Sequence, residues 1–100
     1  MAQEKVMPMS QDIILVGDTT SHGGVVTTGS QTDTVHGRAI ARKGDLVDCP
    51  EKYPDGRLHG INPILEGDDA SLLNGRPIAL AGHRTECGCV LIGSGNGSVQ

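Results

Sequence analysis

The side chains of this chain best suited to chemistry are three cysteines and four histidines. Cys thiolate and neutral His are the residue types that hold Zn2+ in a four-coordinate shell. Three of them share one spacing: His22, Cys49 and Cys87 each stand five residues after a glycine, namely Gly17, Gly44 and Gly82. Three equivalent ligands leave a tetrahedron one corner short. His59 fills that corner best, because it lies in an insertion, Glu51 to Gly60, that leaves the pattern just after Cys49. Cys89 is an alternative to Cys87, since residues two apart in a strand face the same side. His83 aligns with Asp18 and Asp45 and reads as a turn-stabilising polar site, and His36 reads as a solvated turn residue. A disulfide is disfavoured by the odd cysteine count and by synthesis in a reducing compartment.

Such a shell is structural rather than catalytic. A catalytic zinc keeps a position open for water and needs a general base nearby. Glu86 precedes Cys87 and alternates to the other face of a strand. The chain has no His-Glu-x-x-His motif and no Gly-x-Ser-x-Gly elbow. The expectation is a docking or mechanical part, not an enzyme.

The elements that position these residues come from an internal repeat. Residues 37–49 (GRAIARKGDLVDC) and 75–87 (GRPIALAGHRTEC) match without gaps at six of 13 positions. A third, weaker copy begins at Gly17. The eight-residue step from Gly29 to Gly37 recurs from Gly67 to Gly75. Asn74-Gly75 suits a two-residue hairpin turn with positive φ, and His36-Gly37 occupies the same slot. Residues 66–73 have the composition for one helical turn, but the repeat assigns them to a hairpin. Short strands between regular glycine turns predict an all-β fold. Three units too small to bury a core alone must pack together, with pseudo-three-fold symmetry bringing their matched ligands to one point.

Composition supports a stapled domain. The chain of 100 residues has no Trp or Phe, and Tyr53 is its single aromatic. Its 15 glycines and 5 prolines imply much turn. A small fold with few bulky apolar residues needs a metal or a disulfide. The net charge of -4 argues against a nucleic-acid partner. No apolar run reaches membrane-spanning length, so no stable membrane insertion is expected. The N-terminus lacks the apolar core of a signal peptide, so ordinary secretory export is not expected. One domain is expected over 1–100, its core over about 12–95, with 1–11 and 96–100 as terminal extensions.

These motifs resemble the PAAR-repeat proteins, named for a proline–alanine–alanine–arginine motif. The likeness lies in 17–24 (GDTTSHGG), 37–45 (GRAIARKGD), Cys49-Pro50, 75–79 (GRPIA) and 85–89 (TECGC). Both copies of the name motif are degenerate here, reading Arg38-Ala-Ile-Ala-Arg42 and Arg76-Pro-Ile-Ala-Leu80. The resemblance implies a small cone of short strands with a structural zinc near its apex. It implies a partner, the trimeric VgrG spike of the bacterial type VI secretion system, capped by one copy per trimer. The tip would sharpen the spike for membrane puncture and effector delivery. The chain would wait in the bacterial cytoplasm and then be translocated with the spike. The short flanks resemble the minimal, effector-free form, which can adapt separately encoded cargo. A zinc-stapled adaptor for a toxin or chaperone is the alternative reading.

Overall fold

The computed structural model describes residues 11–94 and 98–99. Its strands are β1 (Gln11–Asp12), β2 (Thr19–Thr20), β3 (Val25–Val26), β4 (Thr34–Val35), β5 (Arg38–Ala39), β6 (Leu46–Lys52), β7 (Leu58–Pro63), β8 (Asp68–Leu73), β9 (Arg76–Ile78), β10 (Leu91–Ile92) and β11 (Ser98–Val99). No helix occurs among the described residues. The stretch 66–73 is strand from Asp68 onward, as the repeat required.

Each unit opens with the same turn. The amides of Asp18, Asp45 and His83 donate to the carbonyls of Leu15, Arg42 and Leu80. In return, Asp18 and Asp45 accept the amides of Leu15 and Arg42 through Oδ2 at 2.8 Å. His83 Nδ1 accepts the Leu80 amide at 3.0 Å. His83 thus does the turn-holding work of a carboxylate. Gly17, Gly44 and Gly82 sit inside these turns with φ of 95°, 92° and 93°.

From each turn the chain runs out and back as a hairpin. The first is β2–β3 and the second is β6–β7. The third runs from the Arg84↔Val90 bridge into β10. The hairpins join edge to edge in the order β10-β2-β3-β6-β7, and the Ile64↔Thr85 bridge closes the circuit. A sheet closed this way leaves few bare edges in a fold with little apolar mass.

The axis of the circuit is marked by backbone hydrogen bonds. Ile14 N donates to Ala79 O, Ala79 N to Ala41 O, and Ala41 N to Ile14 O, at 3.0, 3.0 and 2.8 Å. All three residues are fully buried. Two of them are alanines, so three backbones can meet without crowding. The hairpin registers set the next layers along the axis. Val26, Ile64 and Leu91 lie above the triad, then Thr20, Val47 and Thr85, all buried. The positions of His22, Cys49 and Cys87 come next and cap that end.

At the other end, outlying hairpins carry the chain between units. β4–β5 turns at His36-Gly37 (φ 50° and 81°), and β8–β9 at Asn74-Gly75 (φ 57° and 78°). Two successive positive φ values define the turn whose twist suits a two-residue hairpin. His36 is exposed there. The third outlying pair joins β1 to β11, Gln11↔Val99 and Asp12↔Ser98. Strand residues therefore occur within both stretches read as terminal extensions, while residues 1–10 lie outside the described residues.

Candidate metal centre

The ligand end is built by three different returns of the chain. In the first unit the turn Thr20–Gly24 carries His22. It is held by Thr20 N donating to Gly24 O at 3.1 Å and Gly24 N donating to Thr20 Oγ1 at 2.9 Å. The third unit repeats it as Thr85–Cys89, carrying Cys87, with Thr85 N to Cys89 O at 3.0 Å and Cys89 N to Thr85 Oγ1 at 3.2 Å. In the second unit β6 runs on past Cys49, which pairs with Gly60, and the insertion forms the hairpin's far end. His59 follows from that extension.

The structure brings His22, Cys49, His59, Cys87 and Cys89 together, with one donor atom from each within 4.8 Å of all the others. Cys49 Sγ lies 3.9 Å from His22 Nδ1 and 3.6 Å from His59 Nδ1. Zinc bonds of about 2.0–2.3 Å place tetrahedral donors roughly 3.3–3.8 Å apart. The donor chemistry and spacing therefore fit a structural zinc ion. Cys49 is 1% exposed, so the site has one wall in the core.

Cys89 enters by a route that strand alternation does not describe. Cys87 and Cys89 lie in a turn, where Gly88 at φ 91° reverses the chain. The two sulfurs are 3.3 Å apart. Cys89 also lies 3.2 Å from Cys49 Sγ and 3.0 Å from His22 Nδ1. It faces Thr85 one rung closer to the core than Cys87 and is fully buried. The corresponding slot in the first unit is Gly24, where a Cβ would lie 2.8 Å from Asp48 O. Glu86 also belongs to this turn rather than to a strand, and it is exposed.

The thiols differ in their readiness to ionise. Burial opposes ionisation of Cys87, but hydrogen bonds from Thr85, Cys89 and His59 bring its thiol down to about 7. Burial, together with the Cys49 and Cys87 sulfurs, pushes Cys89 up to about 12. Of these two thiols, the more exposed Cys87 is therefore the easier to ionise.

Three supporting residues are not picked out by the sequence pattern. Tyr53 packs on His59, ring centroids 4.2 Å apart, and Arg57 lies 5.2 Å above the Tyr53 ring. The signal available was the chain's single aromatic standing in the same insertion as a candidate ligand. Thr85 Oγ1 lies 3.3 Å from Cys87 Sγ and orients it.

A closed all-β circuit of three similar units, gathered at one end by a Cys/His cluster, defines a small zinc-stapled structural domain. The PAAR motif family model matches residues 16–93, and the chain belongs to that family. Comparison with curated proteins returns no match. Membership places the chain among the spike-tip and adaptor components of type VI secretion, structural proteins that associate with VgrG spikes. No helix among the described residues is long and apolar enough to cross a membrane.

Proposed function

We propose that this chain caps the trimeric VgrG spike of a bacterial type VI secretion system, one copy per trimer. The observation that carries this reading is the cyclic hydrogen-bond triad of Ile14, Ala41 and Ala79. One chain folded as three near-equivalent sides can offer each subunit of a trimer a related contact. The end bearing the outlying hairpins β4–β5 and β8–β9 meets the spike, and the zinc end points away.

In this reading zinc is held by His22, Cys49, His59 and Cys87, one ligand from each unit plus one from the insertion. Four protein donors close the shell, so the ion is a staple and not a catalyst. It fixes segments distant in sequence where the narrowing end has little room for a hydrophobic core. The sharpened tip assists membrane puncture and effector delivery, and the chain passes from the bacterial cytoplasm out of the cell with the spike.

The test is co-expression with the spike protein, followed by gel filtration with mass measurement. One chain per VgrG trimer is expected. Three chains per trimer, or no complex, would overturn the reading.

A further inference from the structure

Four-coordinate zinc needs four donors, and this end of the molecule supplies five. The surplus donor is a thiol, and its position is particular. Cys89 Sγ lies within 3.2 Å of Cys49 Sγ and 3.3 Å of Cys87 Sγ, so it bridges the other two sulfurs. All three cysteines are free thiols. A disulfide bond is about 2.05 Å long, so either pair closes by an approach of roughly 1 Å. We propose that Cys49 and Cys89 form a disulfide when zinc is absent and a small-molecule disulfide, such as glutathione disulfide, is present. The covalent bond then replaces the metal as the staple. The proposal rests on the zinc reading in one respect: the ion must leave before the sulfurs pair.

The choice of partner follows from the local structure. Cys87 and Cys89 are held in one tight turn, with Gly88 N donating to Thr85 O at 3.0 Å and Thr85 N to Cys89 O at 3.0 Å. Bridging them closes a loop too short to add constraint. Cys49 and Cys89 are 40 residues apart, and a cross-link gains more as the loop it closes lengthens. It also joins the second unit to the third, as the zinc does.

The exchange balances. Cys87, the more exposed of the three thiols, attacks one sulfur of the small disulfide and releases one small thiol. Cys89 attacks the Cys87 sulfur of that mixed disulfide and releases the second. Cys49 then attacks Cys89 and returns Cys87 to the thiol. Two protein thiols are oxidised, one small disulfide is reduced to two thiols, and the protein loses two hydrogens.

The test uses the full chain, stripped of zinc by a chelator and incubated with glutathione disulfide. Trypsin leaves Cys49 in peptide 44–52 and both Cys87 and Cys89 in peptide 85–100. The proposal expects these two peptides linked by a disulfide, in the wild type and, more slowly, in Cys87→Ser. It expects no such link in Cys89→Ser. The oxidised zinc-free protein should melt above the reduced zinc-free protein by roughly 10 °C. A link that survives in Cys89→Ser, a bond confined to peptide 85–100, or no disulfide would each overturn the proposal. Absence of zinc from freshly purified wild type would instead count against the metal reading, so the two failures are distinguishable.

Discussion

Arg38 closes over Asp18, its Nη2 2.5 Å from Oδ1, although the two are 20 residues apart. Arg38 Nε also donates to Val16 O at 2.9 Å. Asp18 is 3% exposed, and its carboxylate has both oxygens engaged, the second by the Leu15 amide. The first unit's opening turn is thus clamped by the strand that leads into the second. Arg76 does the same in the second unit, donating to Lys43 O at 2.9 Å with Asp45 at 3.5 Å. In the third unit His83 replaces the carboxylate, and the sequence at the corresponding position reads Gln11.

Arg38→Ala should therefore be costly. It strands a buried carboxylate, and breaking such pairs costs about 3–5 kcal/mol when both partners are buried. The Arg38 side chain is 33% exposed, so solvent screening reduces the loss to about 2 kcal/mol. For a domain of this size that is a drop in Tm of roughly 10 °C. Adding Asp18→Asn should restore part of the loss, since the stranded charge is gone. Thermal unfolding of the two single variants and the double variant checks this, and strictly additive losses would show that the pair is not coupled.

Zinc content and stability should fall together. Cys49→Ser removes a 1%-exposed sulfur that touches both candidate imidazoles and Cys89. His59→Ala removes the candidate ligand that the insertion carries. Both variants should purify with substoichiometric zinc and melt at least about 10 °C below wild type, because the metal binds only the folded chain. Elemental analysis beside thermal unfolding reads both quantities. Full zinc content together with wild-type melting in either variant removes that residue from the shell.

Cys87 should be the reactive thiol of the metal-free, reduced protein. Its thiol is lowered to about 7, so above that pH it is mostly thiolate, the nucleophilic form. Below about pH 7 its alkylation rate should fall tenfold per pH unit, and above about pH 8 it should be flat. An unperturbed thiol would still be gaining rate there. Cys89, pushed up to about 12, should stay unmodified across the range. Mass spectrometry of iodoacetamide-treated protein, peptide by peptide with Cys89→Ser as control, distinguishes them. Equal labelling of Cys87 and Cys89 contradicts the prediction.

The cluster was legible because repeat spacing translates into hairpin rungs. Five residues from Gly17, Gly44 and Gly82 is the distance from turn to capping position in all three units. The turn role of His83 was legible for the same reason, since its column holds Asp18 and Asp45. Cys89 reaches the cluster, as the alternative to Cys87 allows, but through a turn at Gly88 rather than a strand, and one local reversal changes what two-residue spacing means. The packing of Tyr53 on His59 depends on how far the β6–β7 hairpin extends, which repeat matching does not address. The pairing of β1 with β11 joins segments at opposite ends of the chain and leaves no local pattern in either.

The amide triad at Ile14, Ala41 and Ala79 has a consequence for how the molecule comes apart. Linear repeat arrays fray from their terminal units, which have neighbours on one side only. Here each unit both gives and receives a bond around the axis, so no unit is terminal. Withdrawing any one of them breaks two of the three bonds at once. Opening at one side is therefore expected to loosen the other two rather than stay local.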